Sequence, residues 1–358
     1  MGSIHRFRFV AMALALMVVG DSAAYSGVEV VGEEVLFPIK DDRAFSARLT
    51  PGGRFLLYYR DAALPESAQL VVRDLNNASE RLLDVGPSLE ASTLFFFHPF
   101  DARGRIMVLP DYRDAGAKFG GDLKRPVQVV DLENGRVART KITADLRYAR
   151  LDPAGEMLIG PGPLVTQLTN NKERRLKARG RVDSANPIAP IASFAKTKSE
   201  GGPALILWDY ANDRSLAALP VHRENTRLDD YIPRWTSDGH YLYYVDIDPT
   251  RTTHEEQLLT RVWDVRAGKL LKTIPRLGPV APGPSPTSMV LRPNAISGME
   301  GLAVHDAVTG ATEPIPVVGD ELVNTWDGKI VYAKRKDGVR VLCIADLVMA
   351  GQHRQAPR

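Results

Sequence analysis

One cysteine, Cys343, occurs in the 358 residues, so no intrachain disulfide can form. A chain of this size can bury an adequate core without covalent cross-links. Cys343 lies in the apolar run VRVLCIAD, where a buried, inert thiol is expected. Charge of one sign is also lacking. There are 46 Lys and Arg against 43 Asp and Glu, a net charge of +3, which provides no global attraction to nucleic acid or an anionic membrane. Long apolar runs are missing as well. The most apolar stretch, Phe9–Gly20, has twelve residues, too few to cross a ~30 Å hydrocarbon core as a helix. No segment shows sustained helical periodicity with caps at both ends; Asn171–Arg181 is the nearest candidate.

Several chemical signatures are absent too. No Gly-x-Ser-x-Gly elbow occurs, which argues against a Ser hydrolase gated by another domain. There is no Walker-type phosphate loop and no Gly-x-Gly-x-x-Gly opening a helix. His98, His222, His240, His254, His305 and His353 do not fall at zinc-ligand spacing with one another or with Cys343. No metal and no cofactor is therefore expected, although spacing does not test a site assembled from distant segments.

The first 24 residues have the pattern of a secretory signal. Arg6 and Arg8 form a basic end, Phe9–Gly20 an apolar middle, and Ser22-Ala23-Ala24 a small-residue cleavage site. No Cys follows for lipid attachment, and position six lacks the Ser or Thr of a myristoylation signal. The expectation is a secreted or periplasmic protein, with a single domain over 25–353, a short tail at 354–358 and no membrane span after cleavage. The sequon Asn77-Ala78-Ser79 falls in a predicted exposed turn and reads as a chance occurrence.

What the chain does have is repetition. Leu70–Gly86, LVVRDLNNASERLLDVG, aligns without a gap to Leu164–Gly180, LVTQLTNNKERRLKARG, including both Asn-Asn pairs. Five further segments repeat the event of an apolar run, a polar turn and a second short run. The turns open at Asp74, Asp131, Leu168, Asp209, Asp264, Asp306 and Asp346, at intervals of 37 to 57 residues. Four-stranded propeller blades recur at about 40–45 residues. An Asp at this place can accept backbone N–H groups two residues on and so close the turn, a structural role. A preceding hairpin turns through Thr50-Pro51-Gly52-Gly53, and again through Asp152-Pro153-Ala154-Gly155, Thr236-Ser237-Asp238-Gly239 and Trp326-Asp327-Gly328. Runs such as LFFF (94–97), ALILW (204–208) and LYYV (242–245) suit sheets covered on both faces.

These features predict an all-β, seven-bladed β-propeller, in preference to six or eight blades. The expected blades are 45–86, 91–142, 145–180, 185–221, 230–275, 286–318 and 321–353. The last lacks an obvious fourth strand, and VEVVGEEVLFPI (28–39) is expected to supply it and close the ring. Trp208-Asp209 and Trp263-Asp264, with Val130-Asp131 and His305-Asp306 in the same place, resemble the WD-repeat and related propeller families over nearly all of 28–353. The export signal and Asp-Gly turns are similar to those of bacterial envelope propellers, including those of the Tol system. That resemblance implies a binding role.

In a propeller, loops between second and third strands share one face with the blade-to-blade loops. Three of these are enlarged here: 109–126, 221–233 and 246–257. Rigid scaffolds concentrate binding residues on such loops. The candidates are Tyr112, Arg113, Lys118, Arg223, Asp229, Asp230, Tyr231, Asp246, Asp248, Arg251 and His254, since Tyr and Arg are favoured anchors. Asp246 and Asp248 with Glu255 and Glu256 offer oxygen ligands without the Gly-punctuated spacing of a calcium loop, and read as solvated acids. The basic run from Lys172 to Arg181 reads as charge on an outer strand that resists edge pairing. The stretch Pro279–Pro286 reads as a stiff connector. The resulting expectation is a non-enzymatic exported propeller that binds a protein or glycan of the cell envelope. The alternative is an enzyme with its site in the central channel, such as a lactonase, a lyase or a quinone-linked oxidoreductase.

Overall fold

The computed structural model describes residues 27–39, 47–60, 69–85, 99–111, 125–160, 162–196, 204–221, 232–248, 250–251, 258–293 and 299–350. Seven antiparallel sheets follow one another along the chain and form a ring, a seven-bladed β-propeller. Blade 1 consists of Ala47–Leu49, Phe55–Arg60, Gln69–Asp74 and Ser79–Leu82. Blade 2 has Ile106–Pro110, Arg125–Asp131 and Arg136–Ala144, with a single bridge from Phe100 to Met107 in the place of a first strand. Blade 3 is Arg150–Leu151, Met157–Ile159, Leu164–Gln167 and Glu173–Arg175. Blade 4 is Arg181–Ala185, Ile191–Lys196, Ala204–Asp209 and Arg214–Pro220, and blade 5 is Arg234–Trp235, Tyr241–Ile247, Leu258–Asp264 and Lys269–Pro275. Blade 6 is Leu277–Pro282, Ser288–Pro293, Ala303–Asp306 and Thr312–Pro314. Among the described residues there is no α-helix.

Blade 7 holds Glu321–Trp326, Lys329–Lys336 and Val339–Met349, and its outer strand is Val28–Pro38. The pairing runs from Val28 opposite Met349 to Pro38 opposite Val341, with two register shifts. Glu33 fastens it by accepting hydrogen bonds from Lys334 Nζ, at 2.6 Å, and from the Tyr332 hydroxyl. Its carboxyl is held below the usual range chiefly by the Lys334 bond. The expected closure of the ring by the leading strand is thus what the fold shows.

Two expected boundaries need correction. Blade 4 begins at Arg181, not 185, because RVDSA carries no apolar alternation and the repeat Leu164–Gly180 draws the eye past it. Arg181 therefore opens an inner strand, while Glu173–Arg175 is the outer strand of blade 3. Blade 6 begins at Leu277, not 286, so the Pro279 end of the supposed connector is strand. Pro279 and Pro282 are tolerated because Leu277–Pro282 is an edge strand with one bulge. Five of the expected Asp turns form: Asp74, Asp131 and Asp306 accept from the backbone N–H two residues on, as Asp131 Oδ1 does from Glu133 N at 2.9 Å, whereas Asp209 and Asp264 accept from the one three residues on. Asp346 does not open one. Its strand runs on to Met349 to pair with Val28–Pro38, and its carboxylate meets Lys329 Nζ at 2.9 Å.

The core is divided among the blade interfaces. Each of seven apolar clusters combines residues of two neighbouring blades. Phe55, Leu57, Met107 and Leu109 join blades 1 and 2, Val165, Ile159, Val182 and Phe194 join blades 3 and 4, and Leu49, Val71, Val331 and Leu342 join blades 7 and 1. At the rim, an outer-strand cation reaches the next blade's turn in three places. Arg81 Nη1 donates to Glu133 O at 2.8 Å, Arg174 donates to Tyr210 O, and Lys272 Nζ donates to Gly310 O at 2.5 Å.

Between blades 5 and 6 the Tyr243 hydroxyl meets His305 Nδ1 at 2.7 Å, with the rings edge to face at 5.6 Å. His305 is fully buried, and burial, helped by Lys272, pushes its pKa down from 6.5 to about 4. The folded imidazole therefore stays neutral while the unfolded chain takes up a proton below about 6.5. Stability is lost as pH falls from about 6.5 towards about 4, by up to about 3 kcal/mol. Thermal melts across that window should show the loss in the wild-type protein and a flatter profile in His305→Gln; equal slopes would remove His305 as the cause. A chain lacking residues 1–39 exposes the edge of Val339–Met349 and uncovers Leu342, Cys343 and Leu347. At about 1.5–3 kcal/mol per uncovered side chain, it should lose about 5 kcal/mol or more and aggregate on size exclusion. A monomer with unchanged melting would refute closure by this strand.

Candidate functional site

In six of the seven blades a repeated hydrogen bond fixes where the inner strand or bridge ends. Thr50 N donates to Phe55 O, Asp101 N to Ile106 O, Asp152 N to Met157 O, Asn186 N to Ile191 O, Thr236 N to Tyr241 O and Gly283 N to Ser288 O, all at 2.8–3.0 Å. Side chains reinforce the turns: Asp152 Oδ1 accepts from Glu156 N and Met157 N, both at 2.7 Å, and Thr236 Oγ1 accepts from Tyr241 N at 3.1 Å. The residue before each turn enters an interface core, as Leu49, Leu151 and Trp235 do. The residue two before lines the axis. In blades 1, 3 and 5 that residue is arginine: Arg48, Arg150 and Arg234. Their cross-strand partners, Leu57, Ile159 and Tyr243, hold equivalent places in the second strands.

The three arginines share an axial cavity of about 240 Å³ with apolar walls that include Phe100, Trp235 and Trp326. The Arg48 guanidinium lies over the Phe100 ring, 4.6 Å from its centre. Arg150 is held by backbone carbonyls, donating from Nε to Asp183 O at 2.7 Å and from Nη1 to Ala149 O at 2.6 Å. Arg234 Nε is buried and makes no hydrogen bond among the described residues. Burial, then repulsion from Arg234 and Arg150, pushes the Arg48 pKa down to about 9. Burial, then Arg150 and Arg292, lowers Arg234 to about 10. Arg150 is lowered to about 10 by burial, with Asp183 opposing and Arg181 adding to the shift. All three remain cationic at neutral pH.

Two carboxylates, Asp101 and Asp327, also stand on the wall, each engaged with the backbone. Asp101 Oδ1 accepts from Arg105 N at 2.6 Å and Ile106 N at 2.8 Å, and Asp327 Oδ2 accepts from Gly52 N at 2.7 Å across the blade 7 to blade 1 junction. Burial raises the pKa of both, against the backbone hydrogen bonds that lower it. Nearby, Asp183 meets Arg181 Nε at 3.4 Å. Among the described residues, no three His, Cys, Asp or Glu side chains are grouped to hold a metal ion.

Of the loop residues proposed from sequence, Tyr112, Arg113, Lys118, Arg223, Asp229, Asp230, Tyr231 and His254 lie outside the described residues. Asp246 is described and is fully buried, with its carboxylate 2.7 Å from Arg261 Nε on the neighbouring strand. Asp248 accepts from Thr250 N at 2.9 Å and stands 3.7 Å from the exposed Arg251, a local turn. The sequence reading did not single out the channel arginines. Their signal was nonetheless present: ARLTPGG, ARLDPAG and PRWTSDG each place Arg two residues before a first-hairpin turn.

No family model matches the chain, and no curated protein matches it. Solved structures do. An oligogalacturonate lyase in complex with manganese is 13% identical, covering 91% of this chain and 98% of its own, with a TM-score of 0.51. The oligogalacturonate lyase of Vibrio parahaemolyticus is 12% identical, covering 90% of this chain and 98% of its own, also at 0.51. The C-terminal WD40 domain of Sif2 is 13% identical, covering 89% and 98%, at 0.46. At these identities the likeness shows the fold alone.

Proposed function

We propose that the protein is an exported binding propeller that engages a protein or glycan partner of the cell envelope at the face carrying the enlarged loops. One observation carries this reading. Loop 109–126 connects the second and third strands of blade 2, and loop 246–257 connects the same two strands of blade 5. Loop 221–233 passes from blade 4 to blade 5. Antiparallel order puts those strand ends on one face of a closed ring, around the mouth from which the inner strands start. A rigid ring presenting several loops is a common way to build a recognition surface.

The axial cavity favours a second reading, an enzyme acting on an anionic substrate in the channel. The fold likeness to oligogalacturonate lyases suggests the first substrate to try. Incubation with oligogalacturonate and manganese would reveal elimination as a rise in ultraviolet absorbance from the new conjugated double bond.

Alanine substitutions at Tyr112, Arg113, Asp229 and Tyr231 should weaken capture of an envelope partner at least about tenfold, the scale of an anchor residue, without lowering the melting temperature. Capture that is unchanged in all four variants would reject this face as the binding surface.

A further inference from the structure

We propose that the outer edge of blade 3 and the linker after it, residues 173–179, take up an extended acidic peptide segment of the partner, a proposal that rests on the binding reading above and names the chemistry recognised at a second place on the ring.

Charge of one sign is concentrated here. Residues 172–179 hold five Lys and Arg against one Glu, a net charge of +4, whereas the entire chain has +3. Lys172, Arg174, Arg175, Lys177 and Arg179 are all exposed, while Leu176 and Ala178 between them are buried in the cluster that joins blades 3 and 4. Rim cations of other blades have acid partners: Arg73 meets Glu34 at 2.8 Å, Lys334 meets Glu33, and Arg340 meets Glu321. Lys172, Arg175, Lys177 and Arg179 enter no ion pair among the described residues. The nearby Asp213 of blade 4 accepts from Lys177 N at 2.8 Å and from Trp208 Nε1 at 3.1 Å, which anchors the linker against the next blade.

Three features select a peptide over another polyanion. Glu173–Arg175 is an edge strand, paired on one side only, with Leu164–Gln167. Gln167 N donates to Lys172 O and Leu176 N to Pro163 O, so Lys172, Arg174 and Leu176 direct their backbone groups to that neighbour, and Glu173 and Arg175 direct theirs outward. An added peptide strand completes such a row of main-chain groups, and a glycan or a lipid headgroup has no matching ladder. Next, the exposed cations recur at 175, 177 and 179, successive backbone positions being at most ~7 Å apart. Side chains on one face of an extended peptide recur at about 6.6 Å, so acids at alternate positions match them. Finally, with Leu176 and Ala178 buried, 172–179 exposes no apolar side chain for a bilayer to take up. Cations on an edge strand repel a second copy of the same edge and attract an acidic strand, so the guard against edge pairing acts as a filter.

The test is fluorescence anisotropy of a labelled peptide of alternating Glu and Thr, titrated with the protein, beside a Gln-Thr peptide of equal length. The acidic peptide should bind and the neutral one should not, and binding should weaken as sodium chloride is added. Arg175→Gln, Lys177→Gln and Arg179→Gln should each weaken it about two- to fivefold, the scale of an exposed ion pair, and the triple variant about tenfold or more. A second triple variant, Lys269→Gln with Arg335→Gln and Lys336→Gln, removes the same charge from exposed positions of blades 5 and 7 and should bind as the wild type does. All six side chains are exposed, so the melting temperatures should not change. Equal binding by the two triple variants, or no binding by the wild-type protein, would overturn the proposal. So would polygalacturonate displacing the peptide at a lower concentration of carboxylate than the unlabelled peptide needs, which assigns the edge to a glycan. Self-association that is lost in the first triple variant would overturn it as well, by assigning the edge to a second copy. Tyr231→Ala should leave peptide binding unchanged, so a failure here is read separately from a failure of partner capture through the loops.

Discussion

The pairing of Val28–Pro38 with Val339–Met349 is the constraint on which the rest of the molecule depends. Each blade has apolar surface on two sides, and no blade can bury both without two neighbours. Seven interface clusters in series therefore need a closed circle. The strand that completes blade 7 comes from the far end of the sequence and lies across the last two interfaces. Val28 and Val30 pack into the cluster with blade 6, and Leu36 and Phe37 into the cluster with blade 1. The order of the channel follows from that closure, because the inner strands are too short to hold position alone. Arg150–Leu151 and Arg234–Trp235 have two residues each, and their place is set by turn bonds and by contacts between adjacent inner strands.

Closure also sets the electrostatics of the axis. Charges that would be solvated on an open sheet edge are brought together when the edges face a common centre. The turn acids Asp101, Asp152 and Asp327 are used to cap backbone amides, whereas the arginines stand two residues earlier with their heads in the cavity. The rim latches from Arg81, Arg174 and Lys272 add directional bonds between blades at the opposite radius.

Much of the fold was legible in the sequence because its turns use strong local chemistry. Asp with Asn or Gly at fixed offsets marks the third hairpin turn, and Pro-Gly or Asp-Gly marks the first. The unpaired last blade and the strand character of 28–39 together indicated the closure. The missed strands fail the local rules for physical reasons. Arg181–Ala185 is buried on both faces and reads as polar, and Leu277–Pro282 contains prolines that only an edge strand accepts. The candidate site was less legible. Loop length draws attention to the mouth of the ring, and most of those loop residues lie outside the described structure. The arginine layer depends on three residues 84 to 186 positions apart meeting at an axis, which no local window contains. Its only sequence trace is the recurring Arg two residues ahead of a recognised turn.

Hydrogen–deuterium exchange of the protein tests the central claim most directly. The account predicts that the amides of 28–38 are protected to the same degree as those of 339–349 and of the inner strands, and are lost together with them as denaturant is added. Rapid exchange over 28–38 with full protection elsewhere would contradict it, because the ring and its channel would then stand without the leading strand.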